Sequence, residues 1–165
     1  MGNGGQTSKV FLTAALLFLS SAGLAAAECR DNRIDLRGDW GNARFSVEVA
    51  DDNAERAQGL MNRESMATSA GMLFVYDRPR TVRFWMRNTL IPLDMVFADA
   101  SGTVQRVHHE AVPLDETLIF GGNDIQYVLE INGGLARQLG IEVGSELRHP
   151  AIAGDGVAWA CNASQ

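Results

Sequence analysis

The sequence predicts an α+β fold that is mainly antiparallel β, a small, partly closed barrel of about seven short strands with two short helices. Stretches in which apolar and polar residues alternate recur along the chain, as expected for strands with one buried face. Clusters of Gly, Pro, Asn and Asp separate these stretches and mark turns. Two short segments carry helix signals, and no internal repeat or linker divides the sequence, so we expect a single domain.

The predicted elements begin with a half-buried strand at 44–49, where every second residue is apolar. Asp52, with Glu55 three residues later, forms a capping-box signature that predicts a short helix ending near Met61. A run at 72–76 is apolar on both faces, which predicts a central strand covered on both sides.

The stretch FWMRNTLIPLD contains the densest mixture of aromatic, basic, amide and acidic groups in the sequence. A proline-containing turn at 77–80 precedes it. We expect segments 82–87 and 92–98 to pair as an antiparallel hairpin, because a symmetric register brings their apolar faces together and sets Trp85 opposite Asp94. The hairpin would therefore have one oily face and one mixed face.

The second half of the chain supplies the remaining elements. They are a strand at 103–109, a long loop at 110–123, a strand at 126–131, a helix at 134–139 that Gly140 ends, and a strand at 146–149.

The first 27 residues have the layout of a cleaved secretory signal peptide. Lys9 precedes a short apolar run, and small residues lead to an A-x-A cleavage site at Ala27. The run is shorter than the roughly 20 apolar residues that a retained membrane anchor needs. Glu28 stands where a lipoprotein signal needs a small residue. We therefore expect a periplasmic or secreted protein without a membrane span after signal removal.

The rest of the chain divides into an N-terminal arm at 28–43, a β-rich domain at 44–149 and a C-terminal tail at 150–165. Cys29 and Cys161 lie near opposite ends of this mature chain. In an oxidising compartment the simplest prediction is a disulfide between them, and the alternative is two free thiols.

The charge of the mature chain argues against polyanionic partners. Signal removal takes one of the 14 basic residues and none of the 20 acidic ones, so the net charge of −6 becomes −7. An acidic surface without a basic run disfavours nucleic acid and anionic membranes. The glycine pairs lack the spacing of phosphate-binding loops, and we expect no cofactor.

Trp85 with its polar neighbours is the strongest binding constellation. An indole face surrounded by planar hydrogen-bonding groups suits a small polar ligand such as a sugar. The alternative is structural: Trp85 packs in a second core, and ion pairs join Arg87 to Asp94 and either Arg56 or Arg63 to Glu130. The candidate ligand-binding residues are Arg63, Trp85, Arg87, Asn88, Asp94 and Glu130.

The sequence leaves three classes of function open. A non-enzymatic binding module is favoured, because no serine stands in a nucleophile elbow and the adjacent His108 and His109 would point to opposite faces of a strand rather than to one metal ion. A hydrolase of envelope carbohydrate could use Asp94 and Glu130 as paired carboxylates. A protein-interaction domain could present an exposed edge strand to an envelope protein.

Five sequence motifs are spread over roughly 45–147. They are GLMNRESM from Gly59, GMLFVY from Gly71, FWMRNTLIPLD from Phe84, the region around Pro113, and YVLEINGG from Tyr127. In these motifs the sequence resembles the domain-of-unknown-function 192 family of bacterial and archaeal proteins, many of which are exported. The resemblance implies a small β-rich domain without an established activity or cofactor.

Overall fold

The computed structural model of the protein describes residues 1–4 and 29–161. Most of the predicted signal peptide lies outside the described residues, so that prediction stays open. Seven strands and two short helices are formed in the described part. They are β1 (Arg33–Gly38), β2 (Gly41–Ala50), α1 (Asn53–Gln58), β3 (Ala70–Phe84), β4 (Leu93–Ala98), β5 (Val104–Ala111), β6 (Ile119–Asn132), α2 (Leu135–Leu139) and β7 (Glu146–Arg148).

The strands form one sheet in the order β5-β4-β6-β3-β2-β1-β7. Neighbouring strands are antiparallel except β2 and β3, which run parallel. The two ends of the sheet approach each other, because the amide of Val104 donates to the carbonyl of Ser145 (2.8 Å) and that of Leu147 to the carbonyl of Gly102 (2.9 Å). The predicted α+β, mainly antiparallel fold is confirmed, and the sheet is a half-barrel.

The parallel pair follows from helix α1, which lies in the connection from β2 to β3. The predicted capping box is present: the amide of Glu55 donates to Asp52 Oδ1 (2.8 Å), and the Glu55 carboxylate accepts from the Asp52 amide (3.5 Å). The helix ends at Gln58, before the predicted Met61, because Gly59 adopts a positive φ of 49°.

The predicted hairpin is wrong, because β3 and β4 do not pair with each other. Strand β6 lies between them, so that Leu129 is the partner of Leu73 on one side and of Val96 on the other. The segment between β3 and β4 contains a left-handed residue, Asn88 (φ 55°), and leads the chain past β6. The apolar faces of β3 and β4 both match that of β6. Comparing β3 with β4 alone does not reveal β6 as their common partner.

Two further boundaries differ from the sequence prediction. The expected turn at 77–80 lies inside β3, where the register against β6 shifts between Val75 and Arg80. The expected loop at 110–123 is shorter, because β5 extends to Ala111 and β6 begins at Ile119. The segment assigned to an N-terminal arm contributes β1, which pairs with β2 and β7.

The sheet separates two apolar clusters. One contains Ile34, Leu36, Leu129 and Ile131, and the tail residue Ile152 packs into it. The other contains Met72, Phe74, Met86, Met95, Phe97 and Val128. Because side chains alternate along a strand, Glu130 lies on the same face as Val128 and therefore in the second cluster.

The predicted disulfide joins Cys29 to Cys161, with their Cα atoms 5.6 Å apart. It closes a loop over a sequence separation of 132 residues and ties the tail to the start of the sheet. His149 reinforces the same junction, since its Nδ1 accepts from the amide of Ala151 (3.1 Å) and its Nε2 donates to the carbonyl of Asp31 (2.8 Å).

The double variant Cys29→Ser, Cys161→Ser should lose up to about 4 kcal/mol of unfolding free energy, because the open chain gains entropy in the unfolded state. Urea denaturation with and without reductant measures the effect. Reductant should destabilise the wild type and leave the double variant unchanged. Equal stability of both proteins under oxidising conditions would show that the bridge contributes nothing.

Candidate functional site

A cavity of about 110 Å³ lies where the end of α1, strand β3 and the segment after it meet over strand β6. Four aromatic side chains and two arginines surround it, and a single carboxyl group, that of Glu130, is present among its described lining residues. The aromatic and basic lining residues are Phe74, Tyr76, Phe84, Trp85, Arg56 and Arg83.

Glu130 has an unusual environment for a carboxyl group. Its neighbours on the adjacent strands are Met72 and Met95, and the residue is 4% exposed. No hydrogen bond or ion pair joins its side chain to any other residue in the described part of the chain. Burial raises the pKa of Glu130 to about 8, so the carboxyl group is mostly protonated at neutral pH.

This arrangement follows from the local sequence. In YVLEIN every second residue faces the second apolar cluster, and Glu130 takes the place of an apolar residue in that alternation. Burying a polar group without a hydrogen-bond partner costs free energy. A strongly perturbed carboxyl group in a cavity is a recognised mark of a functional site.

The aromatic residues form a wall beside the carboxyl group. Phe74 and Phe84 meet edge to face, with ring centroids 5.2 Å apart. Trp85 is 41% exposed, and the guanidinium of Arg87 lies 5.4 Å from its ring centroid. The wall thus has an apolar interior and an accessible indole at its edge.

Tyr76 lies between two cations, because the guanidinium groups of Arg56 and Arg80 are each 5.3 Å from its ring centroid. Burial raises the pKa of the Tyr76 phenol, and the two arginines partly oppose that shift. The phenol therefore keeps its proton at neutral pH and can both donate and accept.

Arg56 is held by α1 and β3 and makes no ion pair with Glu130. Its Nη1 donates to the carbonyls of Asp51 and Val75, the latter at 2.7 Å, and its Nη2 donates to Asn53 Oδ1 (2.8 Å). The expected pairing of an arginine with Glu130 is therefore wrong for Arg56.

Arg63 does not pair with Glu130 either. Its Nη1 and Nη2 form a bidentate pair with Glu48, at 2.6 and 2.5 Å. The hydrogen bond from Arg63 lowers the pKa of Glu48 against the opposing effect of burial. Arg63 lies outside the cavity lining.

Asp94 is fully buried on the opposite face of the sheet from Glu130, because Asp94 pairs with Ile131 while Met95 pairs with Glu130. The expected ion pair with Arg87 is absent. The carboxylate instead accepts three backbone amides, from Glu110 (2.7 Å), Gly134 (3.0 Å) and Ala136 (2.7 Å). Asp94 thus fixes the end of β5 and the start of α2.

Asn88 supports the wall without lining the cavity. Its carbonyl accepts from the amide of Asn62 (2.8 Å), which joins the GLMNRESM and FWMRNTLIPLD motifs. Of the six sequence-predicted residues, Trp85 and Glu130 line the same cavity, and the Arg87 guanidinium lies 5.4 Å from the Trp85 ring centroid without being part of the lining. The cavity also contains three residues that are not among the sequence candidates, Phe74, Tyr76 and Arg83, although the aromatic end of the 72–76 run is visible in the sequence.

Comparison with known protein families gives a match over residues 35–149 to the DUF192 model, described as an uncharacterized ACR. The chain belongs to the DUF192 family. Every residue that lines the cavity lies inside the matched range, whereas Cys29 and Cys161 lie outside it.

Two solved structures resemble this DUF192 protein closely. A protein of unknown function from Novosphingobium aromaticivorans is 41% identical, with a TM-score of 0.68, over 70% of this chain and 82% of its own. A proposed transcription regulator from Sinorhizobium meliloti is 40% identical, with a TM-score of 0.69, over 73% of this chain and 94% of its own. A search of curated proteins gave no match. In the described part of this DUF192 chain, no helix has the length and apolar character needed to span a membrane.

The variant Glu130→Gln should remove a pH dependence of stability. The folded pKa of about 8 lies above the ordinary value of 4.5, so wild-type stability falls as pH rises from 4.5 through 8. At roughly 1.4 kcal/mol per pKa unit, the variant should exceed the wild type by several kcal/mol at pH 9 and match it near pH 4.

Urea denaturation across this pH range tests the expectation. The exposed Glu64→Gln serves as the matched control, and its stability should parallel that of the wild type at every pH. A Glu130→Gln curve parallel to the wild-type curve would show that Glu130 titrates normally.

Proposed function

We propose that the protein is an exported, non-enzymatic binding module whose cavity at Glu130 and Trp85 takes a small polar ligand such as a sugar. The observation that carries this proposal is the buried Glu130 carboxyl group, which lies in an aromatic-lined cavity and has no hydrogen-bond partner among the described residues. A ligand hydroxyl supplies the missing partner.

The protonation state of Glu130 selects the kind of ligand. With a pKa of about 8, the group at neutral pH carries one O–H donor and retains acceptor capacity. A ligand hydroxyl both donates and accepts, so it satisfies the carboxyl group completely. A cationic ligand is disfavoured, because Arg56 and Arg83 line the same cavity and carry positive charge.

The dimensions of the cavity favour a ligand of which only one part enters the cavity. The cavity of about 110 Å³ is smaller than the roughly 300 Å³ at the lower end of typical ligand pockets, so it holds one edge of a sugar ring rather than the whole molecule. The remainder of the ring then lies against the accessible face of Trp85, where aromatic and C–H surfaces pack.

Export rests on two features. The N-terminal 27 residues have the pattern of a secretory signal peptide. The disulfide between Cys29 and Cys161 is of the kind that persists in oxidising compartments. Both support a periplasmic or secreted location.

The hydrolase alternative has one observation in its favour, since a carboxyl group with a raised pKa beside aromatic side chains can act as a general acid. It needs a second carboxylate on the same side of the substrate. Asp94 lies on the other face of the sheet and is committed to three backbone amides. The binding function is therefore the better supported of the two.

A panel of cell-wall sugars and neutral polyols, followed by tryptophan fluorescence and thermal shift, tests the proposal. At least one compound should raise the melting temperature of the wild type. Trp85→Ala and Glu130→Leu should each weaken that response by about tenfold, the equivalent of roughly 1.4 kcal/mol of lost stacking or hydrogen bonding. Leu90→Ala, a similarly exposed apolar residue outside the cavity lining, is the matched control and should respond as the wild type does.

A response that Trp85→Ala and Glu130→Leu leave intact would place binding elsewhere and contradict the proposal. Release of reducing ends from an envelope glycan, abolished by Glu130→Gln, would instead favour the hydrolase.

A further inference from the structure

A second candidate site lies at one end of the sheet order, where β2, β1 and β7 are neighbours. Across these strands Arg148 pairs with Asp35, and Asp35 pairs with Arg44, so the three side chains share one face. Together with Arg37 and Trp159 they line a groove of about 590 Å³. The groove shares no lining residue with the cavity at Glu130, so it is independent of the proposed function.

The carboxylate of Asp35 joins two of the arginines. Its Oδ1 accepts from Arg44 Nε (2.6 Å), and its Oδ2 accepts from Arg148 Nη2 (2.8 Å). Burial alone would raise the pKa of Asp35, but the two arginine hydrogen bonds lower it below the ordinary value. Arg37 is paired separately with Glu146 (2.6 Å). These three arginines and two carboxylates leave one excess positive charge on an acidic protein.

The groove contains buried donors that lack acceptors. Arg148 is 1% exposed, and its Nε and Nη1 have no hydrogen-bond partner in the described part of the chain. The Nε1 of Trp159 is buried and unpartnered as well. The Trp159 ring lies between two guanidinium groups, 4.2 Å from that of Arg148 and 4.5 Å from that of Arg37. Native structures leave few such groups unsatisfied, and an unseen ion is one explanation for those that remain.

We propose that this groove binds a small oxyanion, either a carboxylate or a phosphate group, through Arg37, Arg44, Arg148 and the indole N–H of Trp159. An oxyanion accepts several N–H donors at once, and planar guanidinium groups match its geometry. The excess positive charge favours an anion over a neutral acceptor.

Trp159 controls access to the most buried donors. Its ring covers the Arg148 guanidinium, so it shifts when an anion reaches Nε and Nη1. The tail that carries Trp159 is tethered two residues later through Cys161. The indole therefore moves locally while the tail stays attached, and its fluorescence reports anion binding.

The test compares sodium phosphate, sodium acetate and sodium chloride at equal ionic strength in Tris buffer, with the disulfide-bonded protein. Phosphate or acetate should raise the melting temperature in a saturable manner and change the tryptophan emission, whereas chloride should not. Arg44→Gln and Arg37→Gln should each weaken binding by about tenfold, because each removes a charge-assisted donor. Arg87→Gln, which removes an arginine stacked on a different tryptophan, is the matched control and should bind as the wild type does.

Trp159→Phe removes one of the proposed donors, so it should weaken the thermal shift and lose the emission change. Circular dichroism confirms that each variant is folded. Arg37 belongs to a half-buried ion pair with Glu146 that does not involve Asp35, so Arg37→Gln preserves the test if Arg44→Gln does not fold. A response to acetate alone identifies a carboxylate ligand, and a response to phosphate alone identifies a phosphate group. A response equal to that of chloride, or one that both Arg37→Gln and Arg44→Gln retain in full, overturns the proposal.

Discussion

The pairing of β6 with both β3 and β4 is the constraint on which the rest of the structure depends. One strand of 14 residues serves as the common partner, so its alternation decides what faces each of the two apolar clusters. A shift of one residue would move Glu130 to the face that Leu129 and Ile131 now occupy. The strand pairing thus holds a carboxyl group in an apolar environment. Moving that group into water would require breaking the pairing of β6 with its neighbouring strands.

Asp94 and Glu130 are buried carboxyl groups on neighbouring strands, and their different surroundings suit them to different roles. Asp94 accepts three backbone amides and joins three segments of the chain. Glu130 has no such partner in the described residues and faces a cavity. The hydrogen-bonding capacity of Asp94 is used within the protein, whereas that of Glu130 remains available for a ligand. In the groove at Arg148, buried donors likewise lack hydrogen-bond partners among the described residues.

The sequence predicts features that depend on the chemistry of particular residues well and the order of the strands poorly. The capping box of Asp52 and Glu55 and the pairing of Cys29 with Cys161 depend on chemistry that is visible in the sequence. The hairpin prediction was wrong because the apolar pattern of β3 complements β6 as well as β4, and strand order depends on that choice. For the same reason the ion pair expected between Arg87 and Asp94 does not form.

The proposed site depends on a Glu130 carboxyl group that is buried without a hydrogen-bond partner among the described residues. Carboxyl ¹³C NMR of the protein across a pH titration measures this directly, with Glu130→Gln used to assign the Glu130 signal. We expect a midpoint near pH 8. A midpoint near the ordinary value of 4.5 would mean that water or a charged group stabilises the ionised form, and it would contradict the account.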